Sequence, residues 1–222
     1  MQSAPIFVKR DMVRDGISWV VIPLFAAAVA GAAGYLLGSN LLYVAFVFLL
    51  LLAAFMAYFF RDPQRSIPTE DGIIVSPADG RVTRIQAVSH TDPHSPNVIS
   101  IFLSPLDVHI NRAPISGEIL DVSYTKGRFL IATRDEASVV NEQNALTIRG
   151  ERVTVVCRQI AGVLARRIVC WKRVGEDVTQ GERFGLIKFS SRTDLVLPPE
   201  VEITVRVGER VRGGASVVGR VR

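Results

Sequence analysis

An uncharged tract of 45 residues, from position 16 to position 60, constrains this chain more than any other feature. Charged residues stand on either side of the tract, but none lies within it. A single membrane-spanning helix needs roughly 20 apolar residues, so the tract has room for two. The polar stretch GSN at 38–40 interrupts it near the middle. We therefore predict a transmembrane helical hairpin, with helices over residues 17–37 and 41–60.

A signal peptide is the competing explanation for this tract, but its apolar part measures only about 7 to 15 residues. Basic residues flank the tract on both sides, namely Lys9, Arg10 and Arg14 before it and Arg61 and Arg65 after it. The positive-inside tendency then places both flanks on the cytoplasmic side of the cell (inner) membrane. A hairpin that only dips into one leaflet has the same sidedness, so spanning and dipping both remain open.

The rest of the chain predicts a different kind of structure. We expect a cytoplasmic N-terminal segment over 1–16, the membrane hairpin over 17–60 and a β-rich domain over 61–222. The last range consists of short β-branched runs bounded by Gly, Pro, Asp or Asn, such as NVISIFLSP, GEILDVSY, RVTVVCRQI and VEITVRV. This pattern is typical of strands and predicts a mainly β sandwich or barrel. Residues 61–222 contain 23 basic and 19 acidic residues, a net charge of +4 that fits either an anionic bilayer surface or an ordinary solvated surface. No nucleic-acid motif is present.

Two turns of this β-rich domain suggest a more specific architecture. GEDVTQG at 175–181 and GERVRGG at 208–214 share the pattern Gly-x-x-Val-x-x-Gly before a strand. They resemble the turns of biotinyl and lipoyl carrier domains, which implies a barrel-sandwich-hybrid-like fold. A carrier function is not implied, because Lys188 does not lie in the exposed hairpin tip that attachment enzymes modify.

Three polar residues stand where apolar runs break off. In IFLSPLDVHINRAP, His109 follows Asp107 and precedes Asn111, and the three share the two-residue phase of one strand face. Asp79 lies in SPADGRV, directly before a glycine. Ser191 follows another serine. An Asp, a His and a Ser on separate strands can activate a serine hydroxyl, although a structural histidine and an Asp-Gly turn are the commoner explanations of the first two.

The segment GLIKFSSRTDLVLPP, residues 185–199, raises a question of its own. It predicts a buried strand that ends at a proline, yet Ser190, Ser191 and Arg192 stand at its centre. Hydroxyl and guanidinium groups are costly to bury without partners. A function for these residues would explain their position.

The remaining candidates for chemistry are weaker. His90 and His94 lie in a polar loop without a third ligand, so we predict no metal site there. Cys157 and Cys170 have no metal-ligand spacing, and a cytoplasmic domain would keep them reduced. We expect both cysteines to be core residues.

Seven segments, taken together, resemble the short bacterial and archaeal form of phosphatidylserine decarboxylase, a pyruvoyl-dependent enzyme. They occur in the order and approximate spacing of that family, from about Phe59 to Pro198. They are FFRDPQRSIP, GIIVSPADGRV, IFLSPLDVHINRAPISGEI, YTKGRF, NEQN, QIAGVLARRIVCW and GERFGLIKFSSRTDLVLP.

The resemblance implies a membrane-bound proenzyme that cuts itself between Ser190 and Ser191 and converts Ser191 into a pyruvoyl group, its only cofactor. His109, oriented by Asp79, would be the base that activates Ser191. The mature enzyme would form a Schiff base with phosphatidylserine and release CO₂ and phosphatidylethanolamine. The 32-residue fragment 191–222 would stay associated with the larger one, and a homodimer is a further expectation.

This sequence departs from the family pattern at two positions. Ser190 stands where the family has glycine, and a residue with a Cβ tolerates a strained backbone less well. Arg112 stands where longer relatives have a second histidine, so either His109 serves both self-cleavage and decarboxylation or another group takes one of these roles. The resemblance implies that Arg192 or Arg112 binds carboxylate or phosphate oxygens of the substrate.

Two other functions remain open from the sequence. One is an uncleaved, inactive relative that binds lipid, which Ser190 favours. The other is a conventional serine hydrolase that uses Asp79, His109 and Ser191, although the chain lacks the Gly-x-Ser-x-Gly elbow.

Overall fold

The computed structural model describes residues 14–89, 91–92, 94–134, 136–163, 167–189 and 191–222. Four residues on which predictions rest lie outside these ranges: Lys9, Arg10, His90 and Ser190. The chain divides into two compact units, one that ends at Gln64 and one that begins at Arg65.

The first unit contains two long apolar helices, as predicted. A 3-10 turn at Arg14–Gly16 leads into α1 (Ile17–Leu37), and α2 covers Asn40–Phe59. By length and composition, each helix is able to cross a membrane. Helix α1 ends where Gly38 adopts a left-handed φ of 60°, a conformation that costs glycine little. The predicted GSN turn is therefore confirmed.

The second unit is almost entirely β, which confirms the predicted class. Its single short helix in the described residues is α3 (Ala137–Val140). The strands are β1 (Ile73–Val75), β2 (Gly80–Ala87), β3 (Asn97–Leu103), β4 (Ile110–Arg112), β5 (Gly117–Thr125), β6 (Gln143–Arg149), β7 (Thr154–Ala161), β8 (Arg167–Cys170), β9 (Asp177–Val178), β10 (Arg183–Lys188), β11 (Ser191–Leu197), β12 (Val201–Ile203), β13 (Arg210–Val211) and β14 (Val217–Val221).

The strands form one large curled sheet and two small ones. The eight-stranded sheet has the order β13-β2-β3-β11-β7-β6-β5-β9, and the small sheets have the orders β1-β14-β12 and β4-β10-β8. Edge strands β9 and β13 each lie within one of the two Gly-x-x-Val-x-x-Gly stretches. These turns meet, because a Cβ on Gly214 would lie 3.4 Å from the Cα of Gly181. The large sheet therefore curls into a half-barrel whose two edges approach each other.

The main hydrophobic core lies on the concave face of this half-barrel. Leu195 and Leu197 of β11 face it, as do their neighbours Cys157 on β7 and Ile99 on β3. Side chains alternate between the two faces of a strand, so Ser191 and Thr193 continue the same face toward the beginning of β11. On its core-facing side, β11 therefore carries hydroxyl groups at its beginning and apolar side chains at its end.

The segment 185–199 differs from the single strand that its apolar pattern predicts. It forms two strands in two different sheets, β10 and β11, and Ser191 is the first residue of the second. The break occurs at Phe189, whose φ of 64° is incompatible with an extended strand. The pattern predicted burial correctly but not the change of sheet, because apolar periodicity does not report a single rotated residue.

We expect Gly80→Ala to destabilise the β-rich unit strongly. Gly80 has a φ of 150°, and a Cβ there would collide with the carbonyl oxygen of Phe102 on β3. The combined strain and backbone clash should cost roughly 3 kcal/mol or more. The measurement is thermal unfolding of the full-length protein in detergent.

Gly208→Ala is the matched control for this prediction. Gly208 has a φ of 92°, and no atom lies within 4 Å of its Cβ position. The control should therefore cost only about 1 kcal/mol. Equal losses of melting temperature in the two variants would contradict the close approach of β2 to β3.

Candidate active site

Ser191 is held at the centre of the large sheet by strands on both sides. It pairs with Leu103 of β3 and with Ala161 of β7. Its side chain is fully buried, and its hydroxyl has no hydrogen-bond partner among the described residues. Such a group costs about 1–3 kcal/mol of stability. A buried polar atom without a partner requires an explanation, and a role in chemistry is one.

The chain is strained two residues before Ser191, at Phe189. Phe189 is the one non-glycine residue with positive φ in the described part of the chain. Such a conformation costs on the order of 1–3 kcal/mol and persists only where the surrounding structure imposes it. Here β10 and β11 are each fixed in a separate sheet, and neither glycine nor proline stands between them. The strain therefore lies next to the bond at which the sequence predicts self-cleavage.

A buried polar network lies beside Ser191 on the same face of the sheet. Thr193 of β11, Gln159 of β7 and Asn144 of β6 are aligned across three neighbouring strands. Asn111 of β4 donates to Thr193 Oγ1 at 2.9 Å and accepts from Gln159 Nε2 at 2.9 Å. Asn144 Nδ2 donates to Gln159 Oε1 at 3.0 Å. These bonds join the sheet that contains β4 to the sheet that contains Ser191.

His109, two residues before Asn111, is fully buried and oriented by the backbone. Its Nδ1 lies 2.9 Å from the carbonyl oxygen of Asp107. A carbonyl oxygen can only accept, so Nδ1 carries a proton, and in the neutral imidazole Nε2 keeps the lone pair. The His109 carbonyl in turn accepts from the Ile187 N–H of β10 at 3.2 Å. The structure thus ties His109 to the strand that leads to Ser191 and leaves Nε2 as the basic nitrogen.

Asp107 itself differs from the sequence-based expectation. The sequence predicts that it shares one strand face with His109 and Asn111. Instead, Asp107 lies in a turn, where its carboxylate accepts from the Ser104 N–H at 2.8 Å. The contribution of Asp107 to the arrangement of His109 is its backbone oxygen.

Asp79 lies in the turn before β2, where its carboxylate pairs with an arginine side chain and a backbone amide. Its carboxylate accepts from Arg65 Nη2 at 2.6 Å and from the Gly213 N–H at 2.8 Å. Burial raises the pKa of Asp79 above its ordinary value of 3.8, while the Arg65 charge opposes that rise. The hydrogen bonds of Asp79 among the described residues do not include His109. The partnership of Asp79 with His109 stays a prediction.

The two arginines predicted to bind substrate are both buried and engaged with the protein. Arg192 Nη1 donates to the carbonyl oxygens of Ala132 and Arg134, and its Nε and Nη2 pair with Asp194. Arg112 Nη1 donates to the Gly181 carbonyl oxygen at 3.0 Å. These contacts support positioning roles, and substrate binding by either arginine stays a prediction.

Several residues of this arrangement were missed by sequence reasoning. Gln159 and Asn144 were detectable in principle, because each is a polar residue at a core-facing position of an apolar strand. Arg65 gave no such signal, since its partner lies 14 residues away and across a turn. Cys157 is a core residue as expected, whereas Cys170 is half-buried and packs against the core. Burial raises the pKa of both thiols.

The fold and the site define a class of protein: a β-domain with a buried serine hydroxyl near a strained connection between strands of two sheets. Comparison with known proteins gives the family. The family model described as "Phosphatidylserine decarboxylase" matches residues 52–219.

Several curated relatives carry the name phosphatidylserine decarboxylase proenzyme. One from Solibacter usitatus is 51% identical over 78% of this chain and 81% of its own length. One from Symbiobacterium thermophilum is 49% identical over 77% of this chain and 80% of its own. One from Wolbachia pipientis wMel is 37% identical over 94% of this chain and 90% of its own.

This chain therefore belongs to the phosphatidylserine decarboxylase family. Members of the family are carboxy-lyases of lipid biosynthesis that are made as proenzymes and depend on a pyruvoyl group. The predicted family is thus confirmed.

We expect Thr193→Val to weaken the link between the two sheets at the site. The substitution keeps the shape of the side chain but removes the acceptor for Asn111 Nδ2, whose other acceptor, the Pro77 carbonyl oxygen, lies at 3.3 Å. A buried donor deprived of its main acceptor should cost about 1–3 kcal/mol. Thermal unfolding of the full-length protein measures this loss.

Thr83→Val on β2 is the control for the Thr193 variant. It removes a partly buried hydroxyl that donates to the Ser100 carbonyl oxygen at 3.2 Å, outside the network. We expect it to cost about 1 kcal/mol or less. A Thr193 variant as stable as the control would contradict the role of the network.

We expect Arg65→Met to make the stability of the protein depend more steeply on pH. In the wild-type protein, the Arg65 charge opposes the effect of burial on the pKa of Asp79. Loss of that charge therefore raises the pKa of Asp79 further. A pKa that is higher in the folded state than in the unfolded state means that stability falls as pH rises through the folded value. The variant should therefore lose more melting temperature, relative to wild type, at neutral pH than at acidic pH.

Arg152→Met is the control for this pH dependence. Arg152 also pairs with an aspartate, Asp71, but their side chains are 53% and 81% exposed. An exposed pair contributes little, so this variant should follow the wild-type profile. An Arg65 variant that is destabilised equally at both pH values would refute the coupling to Asp79.

Proposed function

We propose that this chain is a membrane-attached phosphatidylserine decarboxylase proenzyme that cuts itself before Ser191. Family membership supports the reaction and its substrate. The observation that carries the residue assignment is the buried Ser191 hydroxyl, without a described partner, beside the strained Phe189. The Ser191 hydroxyl attacks the carbonyl carbon of Ser190 and turns the peptide bond into an ester. Elimination then frees residues 1–190, and hydrolysis at residue 191 releases ammonia and leaves the pyruvoyl group.

His109 is the base in this proposal. A neutral serine hydroxyl is a poor nucleophile, and a histidine whose Nε2 keeps its lone pair can take the proton. The Nδ1 contact to the Asp107 backbone favours that tautomer. Asp79, predicted as the orienting carboxylate, supports the site through Arg65 and Gly213. Strain at Phe189 raises the energy of the uncleaved chain and so favours the attack.

The surroundings of Ser191 fit a pyruvoyl group. Residue 191 is fixed by β3 and β7, so its place in the sheet does not depend on the chain before it. Once formed, the group would supply a ketone able to condense with the substrate amine and to draw electrons from the bond to the carboxylate. Ala161, Ile187 and Ile168 form an apolar cluster next to Ser191, which excludes water from a carboxylate held there. His109 then returns a proton to the substrate Cα.

Strand pairing supports the expected association of the two cleavage fragments. Residues 191–222 include β11, which pairs along its whole length with β3, and β14, which pairs with β1. Separation would require removal of a central strand from the large sheet. Formation of a homodimer, also expected, stays a prediction.

The proposal also includes the architecture of the β-rich domain and the location of the protein in the cell. The contact between the turns at Gly181 and Gly214 supports a barrel-sandwich-hybrid-like domain. The length and apolarity of α1 and α2 support a transmembrane hairpin, and the flanking basic residues support a cytoplasmic location of the β-rich domain. A lipid substrate that stays in the bilayer is consistent with such an anchor.

The experiment that tests this function compares three versions of the full-length protein in detergent. Wild type should divide into two fragments and release CO₂ from phosphatidylserine. Ser191→Ala should stay intact and inactive, because it lacks the hydroxyl, and His109→Ala should stay intact because it lacks the base. Cleavage and full activity in either variant would contradict its role. Wild-type protein that cleaves itself but releases no CO₂ from this lipid would contradict the substrate.

Ser190→Gly tests the departure from the family pattern. Glycine tolerates the backbone angles that bring a hydroxyl against the preceding carbonyl. We expect this variant to process itself faster than wild type, as followed by denaturing gel over time. Slower processing would show that Ser190 assists the cleavage.

A further inference from the structure

Three chain segments leave the large sheet at the end where Ser191 lies. Strands β3 and β7 run antiparallel to β11, and both pair with Ser191 through their last residues. The residues that follow each strand therefore extend beyond Ser191. They expose large apolar side chains, Leu106 after β3 with 61% of its surface accessible and Val163 after β7 with 51%.

The third segment is the loop that precedes α3. Arg192 donates to the carbonyl oxygens of Ala132 and Arg134. Asn141 bonds to both backbone groups of Leu130 and to the carbonyl oxygen of Ala161, the β7 partner of Ser191. The loop is thus held at the same end of the sheet.

This loop also exposes apolar side chains, and cations stand among them. The seven residues at this end of the sheet are named here the rim: Leu106, Phe129, Ile131, Val163, Lys126, Arg128 and Arg134. Apolar side chains grouped with cations are the combination that binds an anionic lipid surface, since the apolar groups enter the headgroup layer and the cations pair with phosphates.

We propose that the rim docks the β-rich domain onto an anionic phospholipid bilayer and admits the lipid headgroup toward Ser191. The proposal rests on the function proposed above. Ser191 itself is fully buried, so a substrate must pass the residues that surround its end of the sheet. Apolar helices tether a chain to a membrane, but they do not determine which face of a linked domain meets the headgroups. The rim supplies that orientation. Its cations favour an acidic lipid surface over an uncharged protein partner.

Depth-dependent fluorescence quenching tests the docking without relying on activity. The substitutions Ile131→Cys and Val174→Cys are made separately in the full-length Cys170→Ser protein and labelled, since Cys157 is buried. Val174 is 59% exposed and lies at the opposite end of the sheet, where the next residue bonds to Ile119. In vesicles of phosphatidylserine and brominated phosphatidylcholine, the label at 131 should be quenched more strongly than the label at 174. Equal quenching would overturn the proposal.

An activity comparison separates docking from chemistry. The full-length Phe129→Asp/Ile131→Asp protein should lose roughly tenfold in rate on phosphatidylserine vesicles, because two charges replace the apolar anchors. Its rate on a short-chain phosphatidylserine below its micelle concentration should match wild type. The control Val88→Asp/Val174→Asp protein, with both changes at the far end of the sheet, should match wild type on both substrates.

The remaining outcomes distinguish the two proposals. Equal losses on the two substrates, or no loss on vesicles, would overturn the rim as a docking surface. Absence of CO₂ release by the wild-type protein on both substrates would overturn the proposed function, while the quenching result would still decide where the domain meets the bilayer. Strong quenching at 131 that is unchanged when phosphatidylcholine replaces phosphatidylserine would overturn the part assigned to the cations.

Discussion

The two-sided pairing of β11 is the constraint on which the rest of the site depends. β11 lies between β3 and β7 in the middle of the large sheet, and its core-facing side runs from Leu197 to Ser191. Burial of Leu195 and Leu197 stabilises the strand, and the same alternation forces Thr193 and Ser191 to face inward. A buried serine is therefore a consequence of the strand pairing. The cost of burying its hydroxyl is offset by the apolar end of the strand.

The small sheet β4-β10-β8 contributes further residues to the site at this buried end of β11. β4 and β10 are neighbours in it. They carry Asn111 and lead to Phe189, and His109 directly precedes β4. Asn111 bonds to Thr193 and Gln159 and so connects the two sheets. Because β10 and β11 belong to different sheets, the chain must change direction between them, and no glycine stands there. The strained φ of Phe189 is the result, and it lies beside the bond that the proposed mechanism breaks.

The sequence predicted what local patterns determine. The uncharged tract predicted two apolar helices and their turn, and short β-branched runs predicted the β-rich unit. Ser191, His109 and Asp79 were identified by resemblance to a family, since no spacing rule relates residues on three separate strands. The network of Asn111, Gln159 and Thr193 was not predicted, because its members meet only after two sheets pack together.

Other features escaped prediction for different physical reasons. The segment 185–199 has one continuous apolar pattern, so the change of sheet at Phe189 was missed. The orientation of His109 depends on the backbone oxygen of Asp107, which no side-chain pattern reports. The contacts of Arg192 were also missed, because they join it to a loop 58 and 60 residues earlier.

The central claim is that this chain converts its own Ser191 by breaking the bond before it. The most direct measurement is the intact mass of the purified full-length protein under denaturing conditions. The account predicts two species, of which the smaller covers residues 191–222, begins with a pyruvoyl group and has no free amino terminus. A single species with the mass of the uncleaved chain after prolonged incubation would contradict it, and the buried serine would then belong to an inactive relative.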